Sequence, residues 1–147
     1  MKKKGILNPK ISELVARMGH GDMLVVTDRG FPLPMNPSVT VVDVSVGANL
    51  PGVVDVLKVI LEELEIEEII IAEETEKISP QIHKEFMKII SEVRNKGNEI
   101  RIKVIPHMEF KHMLLRGAEE GKEVKGMVRT GELTPYANII LVSGVTF

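Results

Sequence analysis

Residues 18–34 read M-G-H-G-D-M-L-V-V-T-D-R-G-F-P-L-P and hold, in close succession, a predicted helix end, a predicted strand and a predicted loop. Gly19 is a natural left-handed helix stop, and the short apolar run 23–27 is typical of a buried strand. Asp28 then falls at the carboxyl end of that strand. In a parallel α/β sheet, side chains at the carboxyl ends of strands gather in the crevice where ligands bind. The stretch therefore predicts a strand of such a sheet with a site beside it.

The rest of the chain alternates between helical and extended patterns. Further apolar patterns predict helices at about 9–18, 51–64, 80–96 and 108–119, and strands at 39–46, 68–72, 99–105, 127–129 and 139–142. The run Ile69-Ile70-Ile71 is too apolar for a half-exposed strand and is typical of a sheet covered on both faces. This alternation predicts an α/β fold, with a mainly parallel sheet and helices on both faces, in a single domain over residues 1–147.

The composition excludes several classes of function. A net charge of -2 with interspersed signs gives no electrostatic footprint for nucleic acid, and aromatic residues, at 3%, offer few platforms for stacked bases. The absence of cysteine excludes disulfides and thiolate nucleophiles. The basic start at residues 2–4 precedes an apolar run too short for a signal peptide, and no stretch approaches the ~18 apolar residues of a membrane span. We therefore expect a cytoplasmic protein that binds neither nucleic acid nor membrane.

Motifs for nucleotides and metals are also missing. No G-x-G-x-x-G follows a predicted strand, and residues 117–123 resemble a P-loop only superficially, because Glu123 replaces the Ser or Thr that would hold magnesium. His107 and His112 are five residues apart, so they do not share one helix face as a zinc pair would. We expect no metal and no cofactor. The polar segment 117–126 overlaps the end of the helix predicted at 108–119, and no structure is predicted for it beyond that helix.

A set of polar side chains does fit a ligand site. Its members are His20, Asp28, His107 and the segment Tyr136-Ala137-Asn138. Histidine exchanges protons near neutral pH without a large environmental shift, so His20 is the candidate acid–base residue, expected beside the crevice that Asp28 marks. Simpler roles also fit: a partner for helix carbonyls for His20, a turn residue for Asp28, a helix cap for His107, a buried phenol for Tyr136 and a turn amide for Asn138. The residues alone indicate a small polar-ligand site with a proton-transfer histidine.

At these residues the sequence resembles the D-ribose pyranase family of the ribose/fucose mutarotase superfamily. The resemblance runs from end to end, through the blocks K-K-G-I-L-N, R-M-G-H-G-D, D-R-G-F-P-L-P, I-I-I-A-E-E and G-E-L-T-P-Y-A-N-I-I-L-V-S-G-V-T-F. It implies an α/β fold in a cyclic, decameric homo-oligomer. It also implies catalysis of the pyranose–furanose interconversion of D-ribose and of anomer exchange.

The resemblance further implies a role for each candidate residue. His20 would be the proton donor; Asp28, His107, Tyr136 and Asn138 would hold the sugar, with Ala137 in the same binding segment. Opening a cyclic hemiacetal needs only proton transfers, which agrees with a chain without cysteine or cofactor motifs. Two alternatives stay open: a fucose-type mutarotase, whose members tend to carry arginine at the position of His107, and a non-enzymatic sugar-binding accessory protein that would not need His20.

Overall fold

The computed structural model describes residues 1–94, 99–116 and 123–147. Over these ranges the strands are β1 (Met23–Thr27), β2 (Thr40–Asp43), β3 (Ile66–Ala72), β4 (Arg101–Ile105), β5 (Val124–Arg129) and β6 (Ile139–Ser143). The helices are α1 (Pro9–Ala16), α2 (Val53–Ile60), α3 (Glu73–Ile78), α4 (Pro80–Arg94) and α5 (His107–Arg116). None of these helices is long and apolar enough to cross a membrane.

The strands form one sheet in the order β2-β5-β1-β6-β3-β4. Strand β5 pairs in parallel with β1 and β2, and β3 pairs in parallel with β4. Only β6 among these strands is reversed, and it pairs antiparallel with β1 on one side and β3 on the other. The predicted mainly parallel sheet is confirmed. The reversal has a consequence for function, because it brings the amino end of β6 to the edge where the parallel strands have their carboxyl ends.

Helices cover both faces of the sheet, as predicted. On β1, Leu24 and Val26 belong to the larger core cluster, which α1, α2 and α4 close. The alternate residues Met23 and Val25 belong to a smaller cluster that includes Phe110 of α5. All five residues of β1 are therefore buried, which explains why its sequence is a continuous apolar run rather than an alternating one.

The structure departs from the predicted elements most clearly at α3 and at the start of β5. Helix α3 follows β3 directly, although none of the predicted elements covers it; three glutamates in its first turn favour it through the helix dipole. Strand β5 begins at Val124 rather than residue 127, because its first residues pair with β1 and β2. The end of the helix predicted at about 80–96 and most of the polar segment 117–126 lie outside the described residues.

Helix α1 approaches the sheet at a glycine of β5. A Cβ added to Gly126 would lie 2.2 Å from Cδ2 of Leu14, and Leu14 is itself buried in the larger core. Glycine at this position therefore lets the helix lie close to the sheet, which is one of the reasons for glycine inside a strand.

We expect Gly126→Ala to destabilise the protein by about 1–3 kcal/mol, because the added methyl group overpacks this contact. Combining it with Leu14→Ala should cost less than the sum of the two single changes, since the smaller side chain makes room for the methyl group. Gly47→Ala is the control, because no heavy atom lies within 4 Å of the Cβ it would add. Denaturant unfolding of the four variants checks this, and strictly additive losses would contradict the close contact.

Candidate active site

A cavity of about 490 Å³ lies at the carboxyl end of β1. The loop after β1, the first turns of α5 and the segment before β6 line it, with Asp28, Phe31, His107, Lys111, Tyr136 and Asn138 among the lining residues. Its size is that of a small-molecule site, and its position is the edge of the sheet where ligands bind in α/β folds.

Asp28 and Asn138 form a reciprocal pair at the floor of this cavity. The backbone N–H of Asp28 donates to Oδ1 of Asn138, and Nδ2 of Asn138 donates to Oδ2 of Asp28, both at 2.9 Å. Both residues are buried. Burial raises the pKa of the Asp28 carboxyl, while the hydrogen bond from Asn138 acts in the opposite direction. Backbone hydrogen bonds from Gly30 and Phe31 to the same carboxyl also act to lower its pKa.

His107 stands among aromatic rings at the start of α5. Its ring meets that of Tyr136 edge-on at a centroid distance of 4.8 Å, and Phe31 and Phe110 lie 6.0 and 6.4 Å away. Burial lowers the pKa of His107, which favours the neutral ring with one donor and one acceptor nitrogen. Among the described residues no group bonds its buried Nδ1. This nitrogen is therefore a buried polar atom without a partner in the described part of the chain.

Two hydrogen bonds from the α3 region hold the segment before β6. Tyr136, the single tyrosine of the chain, has a left-handed backbone with φ of 59°, which is strained for a bulky residue. The hydroxyl of Thr75 donates to the carbonyl of Tyr136 at 2.8 Å, and that of Ser79 donates to the carbonyl of Pro135 at 2.6 Å. Strained residues held in this way cluster at ligand sites, so this helix, missed from the sequence, shapes the cavity.

His20 lies at the opposite end of the parallel strands, where β1 begins. It precedes the amino end of β1, whereas Asp28 follows the carboxyl end, and the five-residue strand between them spans roughly 15 Å. The expectation that His20 stands beside the crevice is therefore wrong for a single chain. Its side chain is 60% exposed and contacts Glu67 instead.

The side chain of Ala137 is fully buried in the larger core cluster and does not line the cavity, although its neighbours Tyr136 and Asn138 do. The structure thus brings together four of the six predicted residues: Asp28, His107, Tyr136 and Asn138. It adds Lys111, which sequence reasoning missed. The signal was present, because Lys111 follows His107 by four residues and so shares its face of α5.

Glu74 has a supporting role at this edge. Its Oε2 accepts the backbone N–H of His107 at 2.9 Å. The carboxylate therefore satisfies a free amide at the amino end of α5 and fixes the position from which the His107 ring projects. The contact gives Glu74 a structural role at the start of α5.

The geometry agrees with comparisons to known proteins. Residues 1–146 match the model of the RbsD / FucU transport protein family. The chain belongs to this family. It is 44% identical over 147 residues to the D-ribose pyranases of Thermotoga maritima and Pseudothermotoga lettingae. The match covers 100% of this chain, 100% of the first relative and 94% of the second. The predicted family is thereby confirmed.

Two solved structures share the fold. The structure of Bacillus subtilis RbsD complexed with D-ribose superposes with a TM-score of 0.84 at 36% identity, over 100% of both chains. A fucose mutarotase from Streptococcus pneumoniae, in complex with L-fucose, superposes with a TM-score of 0.76 at 23% identity and full coverage of both chains. The second similarity concerns the fold alone.

The raised pKa of Asp28 predicts a pH-dependent gain in stability for Asp28→Asn. A carboxyl whose pKa is higher in the native state than in the unfolded chain lowers stability as pH rises through that interval. An amide has no such cost. We therefore expect the free energy of unfolding of Asp28→Asn, relative to the native protein, to increase between pH 4 and pH 7.

Asp43→Asn is the matched control, because a hydrogen bond from Ser45 lowers the pKa of Asp43. That carboxylate contributes its full stability above the ordinary aspartate pKa and loses it only as the pH falls below that value. The stability difference for this control should therefore stay nearly constant between pH 4 and pH 7, and below pH 4 it should change with the sign opposite to that of Asp28→Asn. Denaturant unfolding at several pH values measures both differences. A shift of the same sign in the two variants would contradict the buried, unfavourable carboxylate at position 28.

Proposed function

We propose that this protein interconverts the pyranose and furanose forms of D-ribose, and its anomers, by acid–base-catalysed ring opening. The observation that carries the proposal is the full-length similarity to D-ribose pyranases, with Asp28, His107, Tyr136 and Asn138 gathered in one cavity. The chain is accordingly an isomerase of the mutarotase type.

The reaction needs only proton transfers. A proton is delivered to the ring oxygen O5 as the C1–O5 bond breaks, and the proton of the anomeric hydroxyl is removed, which gives the open-chain aldehyde. Attack of O4 on C1 then closes the five-membered ring, with the carbonyl oxygen regaining a proton and O4 losing one. Attack of O5 on the other face of C1 exchanges the anomers. One positioned acid–base group supplies roughly 10²–10⁴-fold in such a step.

The cavity residues hold the sugar in this scheme. The Asp28 carboxylate accepts hydrogen bonds from sugar hydroxyls, while the neutral His107 ring and the Tyr136 phenol can each donate or accept. Asn138 orients Asp28 through their reciprocal hydrogen bonds. Ala137 contributes through its backbone, since its side chain is buried.

His20 supplies the proton from a second copy of the chain in this proposal. Within one chain it lies at the opposite end of the parallel strands, so a catalytic His20 must reach the cavity of a neighbouring subunit. Edge strand β4 supports association, because Ile102 and Val104 are 39% and 52% exposed on it, and exposed apolar edge strands favour pairing with other chains. A closed homo-oligomer, decameric as in the family resemblance, would place a site at each subunit boundary.

We expect His20→Ala to reduce catalysed ring exchange by roughly 10²–10⁴-fold while ribose still binds. Saturation-transfer NMR of D-ribose measures the exchange directly, and ligand titration measures binding. Near-native exchange in the variant would contradict the mechanism. Native binding with no exchange even in the unaltered protein would instead favour a sugar-binding accessory protein.

Mixed oligomers test the origin of His20. Asp28→Asn should lose ribose exchange by itself, but in random co-assembly with His20→Ala about a quarter of the sites would combine one intact His20 with one intact Asp28. Co-expressed variants should therefore recover up to about a quarter of the native activity. Mixed oligomers without any recovery would contradict a site at the subunit boundary.

His107 distinguishes ribose from fucose specificity. Arginine offers five donors and no acceptor, so His107→Arg should misplace one polar partner of the sugar, at ~1–3 kcal/mol, and lower ribose exchange by about tenfold or more. His112→Arg on the exposed face of the same helix is the control. NMR exchange rates for D-ribose and L-fucose test this, and an unchanged ribose rate in His107→Arg would remove His107 from the site.

A further inference from the structure

We infer that Glu67 is a positioning residue for His20. Its carboxylate orients the His20 ring and selects the tautomer that exchanges protons with the sugar. The inference rests on the proposed catalytic role of His20 and goes beyond it, because it names the group that prepares that histidine. Glu67 is on β3, far from the cavity of its own chain.

The contact is a direct hydrogen bond between side chains. Nε2 of His20 lies 3.0 Å from Oε2 of Glu67. The other oxygen of the same carboxylate, Oε1, accepts from a guanidinium nitrogen of Arg101 at 3.1 Å. Both oxygens of Glu67 are therefore engaged, so the acceptor that faces His20 is held in place from the other side.

A second carboxylate fixes Arg101 in turn. The Nε–H of Arg101 donates to Oε2 of Glu68 at 3.0 Å, and Glu68 is buried. Glu68 and Arg101 are register partners on the paired strands β3 and β4. The anchor of the His20–Glu67 contact is thus built on the sheet itself.

The loop that carries His20 is also held at its backbone. Oδ2 of Asp22 accepts the N–H of Gly19 at 2.8 Å, and the N–H of Gly21 donates to the carbonyl of Ser143 at 2.9 Å. Lys125 lies 3.7 Å from the other carboxylate oxygen of Asp22. The residues on either side of His20 are therefore positioned, and Glu67 adds the constraint on the ring.

This arrangement determines which ring nitrogen performs chemistry. A carboxylate accepts but cannot donate, so the proton of neutral His20 is held on Nε2. Nδ1 is then the basic nitrogen that can take a proton from the anomeric hydroxyl and return it to a ring oxygen. The negative charge of Glu67 also stabilises the imidazolium formed in between, as carboxylates do for other acid–base histidines. The hydrogen bond from His20 is the main cause that lowers the pKa of Glu67, so this carboxylate is charged at neutral pH.

A purely structural role explains the contact poorly. Exposed ion pairs contribute little to stability, and the side chains of His20 and Glu67 are 60% and 30% exposed. Four side chains from a loop and two strands are nevertheless linked so that one imidazole edge is fixed. An arrangement of this kind suits a residue whose ring must be presented in one orientation.

Glu67→Gln tests the inference in the full-length protein. The amide can donate as well as accept, so it no longer selects one tautomer, and it carries no charge. We expect kcat for ribose ring exchange to fall roughly 10–100-fold, the range seen when partners that orient a functional histidine are removed, with KM unchanged. Nitrogen-15 NMR of the His20 ring should show the Nε2–H tautomer in the native protein and a mixture in the variant. Glu13→Gln, which removes another exposed carboxylate from an ion pair, with Arg17, should leave all these values unchanged.

The outcomes separate this inference from the proposed function. If His20→Ala loses exchange but Glu67→Gln keeps the native kcat, or if native His20 carries its proton on Nδ1, the positioning role is overturned and the proposed function stands. If Glu67→Gln lowers the melting temperature and activity together while the tautomer stays unchanged, the contact is structural and the inference is also overturned. If His20→Ala keeps native exchange, the proposed function itself fails.

Discussion

The site depends on one contact, the reciprocal pair of hydrogen bonds between Asp28 and Asn138. These residues are 110 positions apart in the chain, and the reversed direction of β6 makes them neighbours. Because β6 runs antiparallel to β1 at the centre of the sheet, its amino end meets the carboxyl end of β1. The loop with Phe31, the strained Tyr136 and the start of α5 all converge on that junction. A parallel β6 would place Asn138 at the other edge, and no cavity with these groups would form.

The two ends of the parallel strands carry different chemistry. The carboxyl end of β1 holds buried polar groups in which the carboxyl pKa is raised and the imidazole pKa is lowered, both by burial. Groups of these types can accept hydrogen bonds from sugar hydroxyls and donate hydrogen bonds to them. The opposite end holds the exposed His20 with a clamped, charged carboxylate beside it, an environment that suits proton transfer. Ring opening of a sugar needs both functions, and association of two copies is the simplest way to bring the two ends together.

The sequence predicted the sheet and one edge of it well, for identifiable reasons. The continuous apolar run of β1 has the observed bounds because burial on both faces leaves no polar position within it. Asp28 and His107 were located correctly because each follows a strand that is clearly marked. The short helix α3 was missed because its glutamates look like a solvated turn, although its hydroxyl at Thr75 holds the strained Tyr136. His20 was misplaced although the predicted strand between it and Asp28 already puts the two residues at opposite ends of that strand. The sequence pattern also does not show that the side chain of Ala137 points into the core. The direction of β6 is equally absent from an apolar run.

The most direct test of this account is the structure of the assembled protein with D-ribose bound. The account predicts the sugar in the cavity between Asp28 and Tyr136, with Nδ1 of His20 from a second copy within hydrogen-bond reach, about 2.6–3.2 Å, of the ring oxygen or the anomeric hydroxyl, or one water molecule away. The same imidazole should still bond Glu67 of its own chain through Nε2. A sugar bound outside this cavity, or a cavity that no His20 from any copy approaches, would contradict the account.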